Sequence, residues 1–221
     1  MSLYNTIAEI YDAIRPGYPA SLIADIVEVG SLSKTSKLME IGAGTGKATT
    51  AFLSRGFSID ANEISLEMAE ILRRKVPADR LTLSVCPFED WAPLQHKYDC
   101  IYCGQAFHWL DKTVKFEKCQ AYLKQDGLLA LFWYDPMPQE QTAAYIASNK
   151  VKEAYLGAEN SVTSVSMDTR LQEIEDTSCF DLIKRKTYQV VLRNTAEQSW
   201  AAMEYTTIDC ITQKKQPGRP S

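Results

Sequence analysis

The chain has 221 residues, of which 45% are hydrophobic, so it can bury a substantial core as one domain. Its formal net charge of -4 argues against nucleic acid and anionic membranes as partners. The longest apolar run, near residues 128–134, is far shorter than the ~20 residues that span a bilayer, and the N-terminus lacks the basic and apolar pattern of a secretory signal. We therefore expect a cytoplasmic protein that is soluble.

The first third of the chain alternates helical and strand-like patterns. Helical patterns lie at residues 3–30, 47–56 and 65–75, and short apolar runs typical of buried strands lie at residues 37–42 and 57–63. Ser65 is a residue type that caps helix N-termini, and the helix that follows it ends in three cations, as the helix dipole favours. Each of these segments therefore has a local signal for its beginning or its end.

Three more strands follow, at residues 81–85, 98–104 and 127–134, with a helix predicted at residues 111–127. Nearly continuous apolar strands that alternate with helices indicate a mostly parallel sheet with both faces covered. The sequence therefore predicts an α/β fold, a doubly wound, Rossmann-like sheet flanked by helices. Helical segments before and after this core are expected to cap it.

The last third is predicted to be mostly helical. Helices are expected at residues 138–156, at residues 167–178 and after Thr195, and one strand is expected at residues 188–192. The predicted single domain thus divides into an N-terminal helical cap (1–35), a cofactor-binding core (36–135), a helical and strand C-terminal part (136–213) and a flexible tail (214–221).

The six cysteines are spread along a chain that is large enough not to need disulfides. Cys100 and Cys103 form a CxxC pair, but both lie in a predicted strand, where residues three apart point to opposite faces. The only histidines are His96 and His108, too few to complete a structural zinc site with this pair. We expect reduced cysteines and no metal.

Residues 42–46 contain three glycines between a strand and a helix, which raises the possibility of a phosphate loop. A Walker A loop would need glycine at Ile41 and a hydroxyl residue at Ala48, so that pattern fails. The dinucleotide pattern GxGxxG would place Lys47 at its third glycine, which weakens a nicotinamide-binding interpretation without removing it. A nicotinamide-dependent oxidoreductase is therefore kept as an alternative.

What fits is Glu-x-Gly-x-Gly-x-Gly, formed by Glu40, Gly42, Gly44 and Gly46. This pattern resembles the first motif of the class I S-adenosylmethionine-dependent methyltransferases. The resemblance implies that the glycine backbone lies against the methionine portion of S-adenosyl-L-methionine.

The end of the second strand carries the next element of the resemblance. Glu63 lies where the family has an acid that accepts the ribose hydroxyls, and Ile64 is expected to pack on the adenine. Asp60 is a poorer match because it falls inside the strand.

Several other stretches resemble one subgroup of small-molecule methyltransferases, with a methyltransferase type 11-like domain. They are "YDAIRPGYP" (11–19), "FEDWAP" (88–93) and "GQAFHWLD" (104–111), and with the glycine motif they cover roughly residues 4–135. The resemblance implies that the N-terminal helix, with Tyr11 and Arg15, folds over the cofactor. Where many relatives carry an adenine-binding Asp, this chain has Pro87, so the resemblance implies that the adenine is recognised by the Phe88 and Glu89 backbone or by the Glu89 side chain.

Two polar residues after the fourth predicted strand are candidates for the chemistry. His108 is the candidate general base, because the carboxyl ends of such strands border the ligand crevice; the alternative is a structural histidine packed beside Trp109. Gln105 is a candidate cofactor-binding or acceptor-binding residue, and the alternative is a polar residue that merely ends the strand.

The acceptor predicted by elimination is a small organic molecule, methylated by in-line displacement. Amino methyltransferases that act on adenine or glutamine carry Asn/Asp-Pro-Pro-Tyr/Phe where this chain has "GQAF", and the Pro-Cys dipeptide of cytosine-C5 enzymes does not occur. We expect a monomer or homodimer. Because only one of the family's two last strands is recognisable, a cofactor-binding module without turnover is a further alternative.

Overall fold

Helices and strands alternate along a computed structural model that describes residues 3–93, 97–135, 167–177, 179–190 and 207–215. The helices are α1 (Leu3–Ile14), α2 (Ala20–Val29), α3 (Lys47–Leu53), α4 (Leu66–Lys75), α5 (Lys115–Tyr122) and α6 (Met167–Asp176), with a short 3₁₀ turn at Phe107–Trp109. The strands are β1 (Lys37–Ile41), β2 (Ser58–Glu63), β3 (Leu81–Val85), β4 (Tyr98–Gly104), β5 (Leu123–Asp135), β6 (Phe180–Gln189) and β7 (Thr207–Lys215).

The seven strands form one sheet in the order β3-β2-β1-β4-β5-β7-β6. Strands β1 to β5 are parallel to one another, and β7 is antiparallel to both of its neighbours, β5 and β6. The order reverses at β1, so the strand ends next to it open a crevice between β1 and β4. The predicted doubly wound α/β fold is confirmed.

Helices cover both faces of the sheet, and alternate residues of β5 show how the two halves of the core are divided. Phe132 and Tyr134 pack on the face that carries α2 and α3, whereas Leu131 and Trp133 pack on the face that carries α5 and α6. Because the central strands are buried on both faces, most of their residues are apolar, which explains the continuous apolar runs in the sequence.

The predicted CxxC strand has the geometry expected from its spacing. Cys100 belongs to the half of the core under α2 and α3, and Cys103 belongs to the opposite half. Both thiols are buried, and burial raises the pKa of Cys103. Within the described ranges, no group of three or more metal-ligating side chains is present, and no helix is long and apolar enough to cross a membrane.

Local sequence signals predicted most helix and strand boundaries in the first third of the chain correctly. Ser65 is an example. Its Oγ accepts a hydrogen bond from the Met68 N–H at 3.2 Å, which caps α4 as predicted. The predicted helix at residues 111–127 was too long, however, because Leu123 already pairs with Tyr98 of β4 and is fully buried in the sheet. Asp111 instead closes a turn before α5, accepting from the Thr113 N–H at 2.8 Å.

The expectation of a single strand at residues 188–192 was wrong. Both β6 and β7 are present, and β6 lies several residues earlier than predicted. As an edge strand it carries charged residues such as Lys184 and Arg185 and exposes most of its side chains, so its sequence lacks the alternation of a half-buried strand. Lys214 and Lys215 belong to β7 rather than to a tail.

The other C-terminal predictions have different outcomes. The helix predicted at residues 167–178 is α6, and the N-terminal helical portion is α1 and α2. The helix predicted at residues 138–156, the start of the one predicted after Thr195, and residues 216–221 lie outside the described residues.

An ionic contact joins α2 to the edge strand. Lys186 Nζ and the Tyr188 hydroxyl donate hydrogen bonds to Asp25 Oδ2, and Lys184 Nζ lies 3.4 Å from Asp25 Oδ1. These donors lower the pKa of Asp25 to about 2, chiefly through the hydrogen bond from Lys186 and then that from Tyr188.

We predict that Asp25→Asn reduces acid sensitivity. Because the folded-state pKa is below the ordinary value, the carboxylate stabilises the fold above about pH 4, and this contribution is lost as the pH falls toward 2. The fall in melting temperature between pH 5 and pH 2.5 should therefore be smaller in Asp25→Asn than in the unaltered protein. Glu28→Gln, on an exposed residue of the same helix, is the matched control and should behave as the unaltered protein does.

Candidate functional site

The glycine turn between β1 and α3 has a left-handed backbone at each of its three glycines. The φ angles are +66° at Gly42, +57° at Gly44 and +88° at Gly46. A Cβ on Gly42 would lie 2.5 Å from Ala106 Cβ, and one on Gly46 would collide with Leu72 Cδ1. The φ angles favour glycine at all three positions, and the close approach of Ala106, just after β4, adds to this preference at Gly42.

The carboxyl end of β2 holds the glycine turn in place. Asn62 Oδ1 accepts a hydrogen bond from the Gly42 N–H at 3.3 Å, its carbonyl accepts one from the Ala43 N–H at 2.9 Å, and its Nδ2 donates to the Cys86 carbonyl at 3.1 Å. Sequence reasoning missed Asn62. The available signal was a polar amide at the end of an apolar strand, directly before the predicted Glu63.

Glu63, at the end of β2, lies against the same turn. Its Oε2 accepts from the Gly44 N–H at 2.7 Å and its Oε1 accepts from the Ser65 N–H at 2.9 Å, and the residue is 6% exposed. Asp60 lies elsewhere, accepting a hydrogen bond from the Tyr98 hydroxyl at 2.6 Å. The structure therefore brings Glu63, and not Asp60, together with the glycines.

Glu40 is a buried carboxyl at the end of β1, 2% exposed. Its Oε2 accepts hydrogen bonds from the Thr49 hydroxyl at 2.6 Å and the Tyr102 hydroxyl at 3.0 Å. Burial raises the pKa of Glu40 to about 8, although these two hydrogen bonds act in the opposite direction. The carboxyl is therefore mostly protonated at neutral pH.

A cleft with an empty volume of about 420 Å³, part of it open to solvent, lies beside the glycine turn. Several predicted site residues line it, namely Tyr11, Arg15, Glu40, Gly42, Gly44 and Gln105. Tyr18 and Tyr134, which were not predicted, form an aromatic wall with ring centroids 5.2 Å apart. The Tyr134 hydroxyl donates to the Gly17 carbonyl at 2.7 Å, so this wall is fixed to the chain after α1.

Gln105 is the strained residue of the cleft. Its φ of +69° is left-handed, which is unusual for a residue with a long side chain, and its N–H donates to the Phe132 carbonyl at 3.0 Å. Its side-chain Nε2 is buried and has no hydrogen-bond partner among the described residues. Backbone strain and an unsatisfied donor together are typical of a ligand-binding position.

Six predicted site residues are not among those that line this cleft, namely Gly46, Glu63, Ile64, Phe88, Glu89 and His108. Gly46 is part of the glycine turn beside the cleft, and Glu63 accepts a hydrogen bond from that turn. Ile64 follows Glu63 and is 69% exposed, so its side chain is accessible at the end of β2. Phe88 is buried in the core, with Lys118 Nζ 5.1 Å from its ring centroid. Glu89 Oε1 accepts a hydrogen bond from the Asp111 N–H at 2.9 Å.

His108, the last of these residues, lies on the other side of the sheet from Tyr134. Its Nδ1 accepts a hydrogen bond from Trp133 Nε1 at 3.3 Å, and its ring centroid is 4.7 Å from that of Trp109. Burial lowers the pKa of His108, and the nearby Arg170 and Lys115 lower it further. The imidazole is therefore neutral at pH 7, and with Nδ1 as acceptor its proton is on Nε2.

We predict that Glu40 makes the protein less stable as the pH rises. Because its folded-state pKa is well above the ordinary value of 4.5, the folded protein retains a proton that the unfolded chain loses between about pH 4.5 and 8. Stability should fall in this range with a slope of up to about 1.4 kcal/mol per pH unit. Chemical denaturation at several pH values should show a flatter profile for Glu40→Gln. The same profile in Glu40→Gln, the unaltered protein and the exposed-site control Glu70→Gln would contradict this prediction.

Comparison with known sequences relates this chain to methyltransferases. A family model described as a methyltransferase domain matches residues 39–131. An uncharacterized methyltransferase of Schizosaccharomyces pombe is 32% identical over 127 residues, which cover 56% of this chain and 49% of that protein. A probable S-adenosylmethionine-dependent methyltransferase of Saccharomyces cerevisiae is 29% identical over 134 residues, which cover 58% of this chain and 45% of that protein. The chain spans about half the length of the curated relatives it matches.

A solved structure shares the fold. Phosphoethanolamine N-methyltransferase 2 of Haemonchus contortus, in complex with phosphomonomethylethanolamine and S-adenosylhomocysteine, matches with a TM-score of 0.61 at 14% identity. The match covers 96% of this chain and 57% of that chain. Residues 39–131 thus match a methyltransferase domain, and the chain shares its fold with solved S-adenosylmethionine-dependent methyltransferases.

Proposed function

We propose that this chain binds S-adenosyl-L-methionine in the cleft beside the glycine turn and transfers its methyl group to a small organic molecule. The observation that carries the proposal is the convergence of the left-handed glycines and the Glu63 carboxylate at the crevice next to β1. S-adenosyl-L-methionine is the cofactor of the solved methyltransferases that share this fold. When bound, it supplies a methyl group already activated on a sulfonium.

The residues around the cleft fit this cofactor. Gly42, Gly44 and Gly46 carry no side chain that would keep a methionine portion from the backbone of the turn. Each oxygen of Glu63 accepts one backbone N–H and retains a lone pair, so the carboxylate can accept ribose hydroxyls without leaving the turn. The exposed side chain of Ile64 offers an apolar surface beside Glu63 for the adenine.

In the loop after β3, the structure leaves Phe88 and Glu89 fewer ways to bind adenine than the sequence predicted, because both side chains are engaged elsewhere. The Glu89 side chain accepts the Asp111 N–H, and the Phe88 ring is buried in the core. We propose that any contribution of these two residues to adenine binding comes from their backbone. The side chain of Glu89 then has the separate role of fixing the turn before α5.

The chain's own residues would orient the reactants and exclude water, which are the main requirements of an in-line displacement. Tyr18 and Tyr134 wall the cleft, and Gln105 Nε2 is a donor for a polar atom of the cofactor or the acceptor. A general base is needed only if the acceptor must lose a proton first. A base role for His108 would require its Nδ1 to leave the Trp133 N–H, and it stays a prediction.

A small acceptor is supported by the protein's acidic balance, since a net charge of -4 disfavours nucleic acid as the acceptor. The structural neighbour from Haemonchus contortus is in complex with a small phosphorylated amine. The alternative of a module without turnover rested on an apparently absent strand, and both β6 and β7 are present.

We predict that Glu63→Gln weakens binding of S-adenosylhomocysteine, the product analogue of the cofactor, by about tenfold or more. An amide would place an N–H₂ group opposite one of the two backbone N–H groups and would accept the ribose hydroxyls less strongly. Isothermal titration calorimetry should show micromolar binding by the unaltered protein and an unchanged affinity in Glu70→Gln, which alters an exposed acid of α4.

Three results would count against the proposal. Absence of binding by the folded, unaltered protein would exclude the cofactor site, and binding of NADH in its place would favour the oxidoreductase alternative. Cofactor binding without transfer of labelled methyl to any member of a broad panel of small acceptors would favour a module without turnover.

A further inference from the structure

Asp12 of α1 makes ionic contacts with two lysines on other helices. Its Oδ1 pairs with Lys47 Nζ at 3.2 Å and with Lys75 Nζ, and its main-chain carbonyl accepts a second hydrogen bond from Lys47 Nζ at 2.7 Å. Lys47 is the first residue of α3, and Lys75 is the last residue of α4. We refer to Asp12, Lys47 and Lys75 as the Asp12 clasp.

The clasp is also connected to the glycine turn. Lys75 Nζ donates to the Thr45 carbonyl at 3.0 Å, and Lys47 directly follows Gly46. The three side chains are only 21–29% exposed, so the interaction is less screened than an ordinary surface ion pair. Burial raises the pKa of Asp12, but the lysines outweigh this effect and lower it, which keeps the carboxylate charged at neutral pH.

The clasp attaches α1 to the helices on either side of the glycine turn, since Lys47 begins α3 and Lys75 ends α4.

The same helix forms one side of the cleft. Tyr11 and Arg15 lie one turn apart on α1 and just after it, with the Arg15 guanidinium 5.1 Å from the Tyr11 ring centroid, and both line the cleft. Asp12 follows Tyr11 directly and does not line the cleft itself, but one of its two partners, Lys47, does. Movement of α1 would thus open the cleft, and the clasp opposes that movement.

We propose that the Asp12 clasp holds α1 over the cleft and slows the release of the bound ligand, which makes Asp12 a positioning residue. This inference rests on the proposed function, because the ligand used to test it is the cofactor product. By linkage, a ligand that contacts α1 must also stabilise the closed position of α1.

Two variants test the clasp without altering the cleft lining. Asp12→Asn removes the shared carboxylate, and Lys75→Gln removes a cation that touches the clasp and the turn but does not line the cleft. Glu9→Gln is the matched control, since Glu9 lies on the same helix and pairs with Arg74 at 3.6 Å, with both side chains more than half exposed. An exposed pair of this kind contributes little.

Hydrogen exchange measured by mass spectrometry reports on α1 without any ligand. Amides of residues 8–15 should exchange about tenfold faster in Asp12→Asn and Lys75→Gln than in the unaltered protein and Glu9→Gln, while those of α2 should not change. Addition of S-adenosylhomocysteine should slow this exchange in the unaltered protein.

Release of S-adenosylhomocysteine, measured by surface plasmon resonance, is the second readout. Its rate should rise about tenfold in Asp12→Asn and in Lys75→Gln, and the double variant should add little because both changes break the same contact. Unaltered release and exchange in Asp12→Asn, with normal binding by the unaltered protein, would overturn the clasp and leave the proposed function standing. Absence of binding by the unaltered protein would overturn the proposed function, whereas the exchange measurement would still decide whether the clasp holds α1.

Discussion

The backbone N–H groups of the glycine turn depend on acceptors supplied by the end of β2, and the rest of the site depends on that contact. Asn62 accepts from Gly42 and Ala43, and Glu63 accepts from Gly44. A left-handed turn of three glycines has a large conformational freedom to lose, so these hydrogen bonds select one conformation from many. The glycine turn also fixes the start of α3. It thereby positions Lys47, which pairs with Asp12 of α1.

Unfavourable electrostatics are concentrated around the same cleft. Glu40 is a carboxyl buried with hydroxyl donors, and the Gln105 amide is a buried donor without a partner among the described residues, on a left-handed backbone. Such features destabilise an empty fold and are retained where a ligand compensates for them. A cofactor that carries ammonium and sulfonium charges would favour the ionised form of the Glu40 carboxyl and so offset the cost of its burial.

Local patterns were sufficient to predict β1 to β5 and the cap at Ser65. These features depend on residues close in sequence or on apolar runs that only a buried strand explains. The edge strand β6 was not predicted at its true position, because its exposed charged residues remove the alternation of apolar and polar residues that identifies a half-buried strand. Tertiary contacts decided the remaining differences. Leu123 joins the sheet rather than α5, and the alternation of β5 places Trp133, with His108, away from Tyr134.

A crystal structure of the full chain with S-adenosylhomocysteine tests the central claim most directly. We expect the ligand to lie in the cleft against the glycine turn, with its two ribose hydroxyls about 2.6–3.2 Å from the Glu63 carboxylate. A ligand bound elsewhere on the protein, or bound in the cleft with its ribose away from Glu63, would contradict the account.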